Sequence, residues 1–220
     1  MQLPVIIVNF KTYAIAGALK GLELAKLHEK VAKKTGVSFA VVPQTVDLRM
    51  IASEVDIPVF AQHFDPVEPG AHTGHVTAHV LKEIGVFGTL LNHAEKPVPL
   101  DLLEKSIELA RNMGLFTVVC ANTAYMAKAI SDLDPNLVAV EPPELIGGDV
   151  SVTSNPQIIL DTVEMVGKNK VLVGAGVRSG ADVREAIRLG ARGVLLASGV
   201  IKSIDPEKTL FELAGGALNL

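Results

Sequence analysis

A few polar residues in this 220-residue chain stand where apolar runs end, and their types suit proton chemistry. Glu141 directly follows Leu-Val-Ala-Val. A carboxylate there must be desolvated or paired, and it can serve as a general base. His93, within Asn92-His93-Ala94-Glu95, and Lys11, within Asn9-Phe10-Lys11, end two other apolar runs. Taking a proton from a carbon beside a carbonyl requires a placed base and a pocket that stabilises the oxyanion. Glu, His and Lys supply both if the fold brings them together. Taken singly, each has a plainer reading: Lys11 as a surface lysine, His93 as a core histidine, Glu95 as the partner of a nearby cation. The turns Gly174-Ala175-Gly176 and Ala197-Ser198-Gly199 are either connectors or the backbone of an anion site, because glycine lets amides come close to an anion.

These groups are far apart in sequence, so the elements must converge. Short runs rich in Val, Ile and Leu recur at 5–8, 38–42, 58–62, 88–92, 115–120, 137–141, 171–174 and 193–197. They are continuous rather than alternating, as in parallel strands buried on both faces. Helical stripes lie between them, at Leu24, Leu27 and Val31, at Leu103, Ile107 and Ala110, and at Val183, Ala186 and Ile187. Ser179 to Asp182 forms a capping-box variant, and Gly36, Gly114 and Gly190 fall where helices should stop. Eight βα units with no inserted domain predict a closed (β/α)8 barrel, an α/β fold spanning 1–220 as one domain. The alternative, an open doubly wound sheet, usually carries a Gly-rich turn after its first strand. Here Asn9-Phe-Lys-Thr-Tyr13 follows, with no glycine until Gly17. The chain is short for a barrel of typically about 250 residues. Trimmed helices are therefore expected after strands two and five, at 45–54 and 124–133. In this fold chemistry sits at the C-terminal ends of the strands, where Asn9, Lys11, His93 and Glu141 all stand.

The remaining features narrow the function. A net charge of −4, with no basic block longer than Lys33-Lys34, argues against nucleic acid as a partner. Cys120 is the only cysteine, which excludes an internal disulfide and fits a cytoplasmic location. The chain opens on no cationic leader, and no run is long enough for a membrane helix. His28 lies on the first helix and reads as a surface residue. His75 and His79 have the i, i+4 spacing of helical zinc ligands, but Val76 follows His75 and the HExxH pattern is absent. Residues 63–79, which also hold His63 and His72, read as a long polar loop, and no metal is expected.

NFK at 9–11, TLLNHAE at 89–95, AVEPPELIGG at 139–148, GAGV at 174–177 and GVLLASG at 193–199 occur in order on strands one, four, six, seven and eight. Together they resemble the triosephosphate isomerase family in its short archaeal form. The resemblance implies a TIM barrel and a cofactor-independent glycolytic and gluconeogenic isomerase. Its substrate would be a small phosphorylated triose, interconverted between glyceraldehyde 3-phosphate and dihydroxyacetone phosphate. It implies that Glu141 moves the proton through an enediolate, that neutral His93 hydrogen-bonds the two oxygens, and that Lys11 supplies positive charge. Asn9 would place the substrate and Glu95 would fix Lys11. The phosphate would lie against Gly176, Ala197, Ser198 and Ile146 or Gly147. The sixth loop, 142–150, would be a lid, shortened relative to the family. Ala94 stands where serine is common, which removes a resting partner for Glu141. Thr73-Gly74 matches the segment that docks into a neighbouring subunit, implying a homodimer, and apolar faces on the fourth and fifth helices allow a homotetramer. Two other classes remain: another phosphate-binding barrel isomerase or epimerase, which would lack the Lys, His and Glu trio, and a non-catalytic phosphate binder.

Overall fold

The structure is a computed structural model, and it describes residues 1–146 and 151–218. The strands are β1 (Val5–Asn9), β2 (Ser38–Val42), β3 (Phe60–Ala61), β4 (Gly88–Leu91), β5 (Phe116–Ala121), β6 (Leu137–Val140), β7 (Val171–Gly174) and β8 (Gly193–Leu196). They form one parallel sheet in the order β2-β1-β8-β7-β6-β5-β4-β3. A parallel bridge between Val41 and Val59 joins its two ends and closes the (β/α)8 barrel. Around it lie α1 (Ala18–Thr35), α2 (Leu48–Ala52), α3 (Ala78–Glu83), α4 (Leu100–Asn112), α5 (Ala124–Ser131), α6 (Pro156–Val166), α7 (Gly180–Arg188), α8 (Ser198–Ile201) and α9 (Pro206–Leu218). No helix among the described residues is long and apolar enough to cross a membrane.

Strand side chains alternate between two apolar layers, because successive Cβ atoms point to opposite faces. Ile6, Val8, Val119 and Val138 pack outward against the helices. Val5, Ile7, Val42, Phe60, Leu90, Val118, Cys120, Leu137, Ala139, Leu172 and Leu195 fill the barrel. This alternation also picks out the end where polar groups collect. The next inward positions after Ile7, Phe60, Ala139, Leu172 and Leu195 are Asn9, Gln62, Glu141, Gly174 and Ala197. Two polar residues expected from the sequence therefore point inward by parity alone.

Several local expectations hold. Gly36, Gly114 and Gly190 take positive φ at helix ends, and Ser179 with Asp182 forms the full capping box of α7. The helices after strands two and five are short. So is α3, whose first two residues, Ala78 and His79, fall within the loop expected over 63–79. The Thr77 hydroxyl accepts from the Val80 N–H and starts this helix, so the polar segment ends at Thr77. Strand three shrinks from 58–62 to two residues. Pro58 has no N–H to give, and its carbonyl accepts instead from Val41.

His28 departs from its surface reading. It is fully buried between Phe10 and Phe39, and its Nδ1 lies 2.7 Å from the Leu24 carbonyl. The stripe Leu24, Leu27 and Val31 is flanked by His28 on the same broad inner face, so the ring substitutes for an apolar residue.

Candidate active site

The end of β1 is built around Asn9. Its Oδ1 accepts the Lys11 N–H at 2.9 Å, closing a tight turn that leaves Lys11 at φ 47°. That left-handed backbone costs a residue with a Cβ about 1–2 kcal/mol, so it needs support. Gln62 gives it: its Nε2 donates to the Lys11 carbonyl at 2.8 Å, with the Asn9 Oδ1 and the Val42 carbonyl each at 3.4 Å. The turn aims the Lys11 ammonium at Glu95, 2.8 Å away. Glu95 is 58% exposed while Lys11 is 15% exposed, so the pair stands at the rim with its cation turned inward.

The end of β4 is set by Asn92, at φ 57°. Its Nδ2 donates to the Cys120 carbonyl and its Oδ1 accepts from Val98, both at 3.0 Å. These bonds fold the following loop back and swing His93 over the barrel. The Glu95 N–H donates to His93 Nδ1 at 3.1 Å. A nitrogen that accepts carries no proton, so the ring is the neutral tautomer with its proton on Nε2. That Nε2 lies 3.9 Å from Glu141 Oε2.

Glu141 continues β6 by one hydrogen bond, from its N–H to the Ala121 carbonyl at 2.8 Å. The side chain is buried, and Oε2 accepts no hydrogen bond among the described residues. Burial pushes its carboxyl above the usual carboxylate range, and nearby His93, the Cys120 thiol and Lys11 pull it only part of the way back. The Cys120 thiol donates to this carboxylate, and burial together with the Glu141 charge pushes the thiol well up. Gly174 makes room from β7: a Cβ there would sit 2.5 Å from Glu141 Cγ and 2.6 Å from Oε1. The arrangement is a desolvated base, an N–H donor facing it and an ammonium at the rim. It can take a proton from carbon while neutralising charge on adjacent oxygens.

Ile146, Gly176, Ala197 and Ser198 line the same small cavity as Asn9, Lys11, His93 and Glu141, with room of about 30 Å³. Ser198 opens α8, where the first amides have no intrahelical acceptor. Gly147 and the rest of the sixth loop from 147 to 150 lie outside the described residues. A wider groove of about 490 Å³ shares Asn9, Lys11 and His93 and runs past Glu95 to Thr73 and His75. A still larger cleft, about 710 Å³, lies at the opposite end of the barrel around Phe87, Thr117 and Asn136. Size alone would have chosen that cleft, but the strand-end polar groups are absent from it.

The described site residues expected from sequence thus gather in one place. The histidines of loop three take separate partners: His63 pairs with Asp65 at 3.4 Å and His79 with Glu68 at 3.6 Å, while His72 and His75 meet edge to face with ring centroids 5.7 Å apart. Among the described residues no group of three or more His, Cys, Asp or Glu side chains could hold a metal ion. From sequence, Gly174 stands out only as part of a turn and Cys120 only as the lone cysteine, and Gln62 carries no expected role. Strand parity was the signal available for all three.

A family model described as triosephosphate isomerase matches residues 4–213. A relative named triosephosphate isomerase from Methanocaldococcus jannaschii is 47% identical over 213 residues, covering 94% of this chain and 97% of that protein. One of the same name from Pyrobaculum calidifontis is 47% identical over 219 residues, 97% of this chain and 96% of its own. Another from Methanobacterium bryantii is 45% identical over 217 residues, covering 96% of each.

Proposed function

The chain belongs to the triosephosphate isomerase family, and we propose that Glu141, His93 and Lys11 carry out its interconversion of D-glyceraldehyde 3-phosphate and dihydroxyacetone phosphate. The observation that carries this assignment is the Glu141 Oε2, buried, without a hydrogen-bond partner among the described residues, and 3.9 Å from a protonated His93 Nε2. An unpartnered carboxylate oxygen in a dry site has a lone pair ready for a carbon-bound proton. Glu141 removes the proton beside the carbonyl, and the electron pair moves onto the carbonyl oxygen. The Nε2–H of His93 donates to the developing oxyanion, and the Lys11 ammonium lowers its energy further. Glu141 then returns the proton to the neighbouring carbon, the former carbonyl carbon, while the hydroxyl on the first carbon gives its proton to the former carbonyl oxygen and becomes the new carbonyl. The two oxygens exchange this proton where they face His93 Nε2, so the reaction needs no cofactor or metal. Asn9 holds the Lys11 turn and Glu95 holds its ammonium. The phosphate lies toward Gly176, Ala197 and Ser198, with Ile146 on the side of the sixth loop.

The eight βα units work as one catalytic domain in the cytoplasm, with neither nucleic acid nor membrane as partner. We take a homodimer as the assembly, formed at the face where Thr73 and Gly74 border the groove beside Lys11. Exposed Ile15, Leu19 and Val46 support it. Exposed Leu100, Leu102, Tyr125 and Met126 on α4 and α5 offer a second contact for a homotetramer. Sedimentation equilibrium separates these states, and a stable monomer at micromolar concentration rejects both.

The decisive experiment is a coupled isomerase assay on the purified protein, with and without chelator. Turnover unaffected by chelator is expected. Glu141→Gln keeps the shape and removes the base, and should lower kcat by about 10²–10⁴ or more. Near-normal turnover in that variant would end the assignment of Glu141 as the base.

A further inference from the structure

The turn after β7 is held in an unfavourable conformation. Ala175 and Gly176 have φ of 72° and 71°, and for Ala175 this is a left-handed backbone with a Cβ present. Such a turn persists only when its surroundings hold it. Two hydrogen bonds hold it from the segment 151–154, which precedes α6. The Val152 N–H donates to the Ala175 carbonyl at 3.2 Å. The Thr153 hydroxyl donates to Asp182 Oδ1 at 2.7 Å, and the Ser151 hydroxyl lies 2.8 Å from that of Thr153. The other Asp182 oxygen accepts from the N–H groups of Arg178 and Ser179, at 3.1 and 2.9 Å, and from the Ser179 hydroxyl at 2.8 Å.

Capping α7 requires only Ser179 and Asp182. The bond from Thr153 adds nothing to that cap, since it comes from a different connection. What it does is fasten that connection to both ends of the turn, at Ala175 and at Arg178-Ser179. Asp182 is a suitable anchor. Burial alone would raise its carboxyl, yet the bonds from Thr153, the Arg178 amide, Ser179 and Ser151 outweigh this and hold it below the usual carboxylate range. It is therefore a charged acceptor, whose hydrogen bonds are short and strong.

We propose that Thr153 is a positioning residue for phosphate recognition: through Asp182 and beside the Val152–Ala175 bond, it braces the turn that presents Gly176 to the substrate phosphate. This rests on the isomerase reading above, which places the phosphate at Gly176. Thr153 touches no reacting atom. Its effect is confined to how well the turn meets the phosphate.

The test compares two substrates, D-glyceraldehyde 3-phosphate and D-glyceraldehyde, which lacks the phosphate. Thr153→Val keeps the shape and removes the donor, and Thr153→Ser restores it. Thr153→Ala provides a second deletion with less bulk. Removing a hydrogen bond to a charged group should lower kcat/KM for the phosphorylated substrate about tenfold or more. Turnover of D-glyceraldehyde should stay at the wild-type level, and Thr153→Ser should recover most of the loss. An equal fall with both substrates, as from a loosened fold, overturns the brace, and so does unchanged turnover in Thr153→Val and Thr153→Ala. A wild-type protein inactive on D-glyceraldehyde 3-phosphate overturns the isomerase reading and this inference with it. Wild-type activity shared by both deletion variants overturns the brace alone.

Discussion

At the scale of single residues, the site depends on a carboxylate kept uncomfortable. Glu141 is buried with one oxygen unpartnered among the described residues, and its carboxyl is raised above the ordinary range mainly by burial. A base works only when ionised, so activity must fall as pH drops through this raised pKa. The acid limb of kcat/KM should therefore lie at higher pH than an exposed glutamate would give. Cys120 sets how far, because its thiol donates to the charged form and opposes the shift. Cys120→Ala removes that donor and should move the acid limb to still higher pH, while Cys120→Ser should move it less. A pH–rate profile of kcat/KM for the three proteins measures this, and an acid limb that stays put in Cys120→Ala counts against the thiol as a donor. The sequence made Glu141 legible because a carboxylate stood at the end of four apolar residues. Cys120 was not legible as its partner, since a thiol in a strand passes for a small apolar residue. Only the register of Cys120 against Ala139, two places before Glu141, shows that they are neighbours.

At the scale of elements, glycines and one histidine separate structural from catalytic demands. A Cβ on Gly193 would sit 1.9 Å from the Val5 carbonyl oxygen, at φ 135°. That atom belongs to the β1 backbone and cannot move aside without opening the β8–β1 pairing. Gly193→Ala should cost about 3 kcal/mol or more of stability, read as a lowered urea midpoint. The three heavy atoms nearest a Cβ on Gly174 all belong to the Glu141 side chain rather than to backbone. Gly174→Ala should therefore displace the base and lower kcat at least tenfold while leaving the urea midpoint nearly unchanged. His28 makes the corresponding argument for α1. Burial lowers its pKa to about 4 against 6.5 for the free side chain, with the Leu24 carbonyl opposing the shift. The unfolded chain thus binds a proton that the folded ring refuses. Stability should be full above pH 6.5, fall as pH drops, and level off below about 4, with a loss of about 3 kcal/mol. His28→Gln should lack this part of the pH dependence in urea titrations at pH 7 and pH 4.5. The sequence placed His28 on the correct helix but not on its inner side. A histidine at the edge of an apolar stripe looks solvated unless the aromatic rings that enclose it, Phe10 and Phe39, are known to converge there. Strand existence and order were legible from continuous apolar runs. The length of β3 was not, because Val59 to Gln62 keeps the composition of a strand while pairing over only two residues.

At the scale of the whole molecule, the barrel is a ring with one weak seam, and the active site is built across its top. Most neighbouring strands share registers of two to five residue pairs, but β2 and β3 are joined by the Val41–Val59 bridge and the Val41 N–H to the Pro58 carbonyl. Above that bridge the ends of β1, β2 and β3 are clasped by Gln62, whose amide reaches the Lys11 and Val42 carbonyls and Asn9 Oδ1. Phe10 adds one more bond, from its N–H to the Val42 carbonyl at 3.0 Å. One side chain thus serves both closure and catalysis, because the turn it holds carries Lys11. Gln62→Leu keeps the bulk and removes the donor. Its effect should appear in two places at once. Hydrogen exchange at the Val41 and Phe10 amides should quicken, while the amides of β6 and β7, far around the ring, keep their protection. Alongside this, kcat/KM should fall about tenfold, the cost of loosening an ammonium that stabilises the oxyanion. Faster exchange with unchanged turnover would leave Gln62 a structural clasp only. Lowered turnover with unchanged exchange would confine it to the Lys11 turn. Both together are expected, because in this barrel the seam and the site share the same hydrogen bonds.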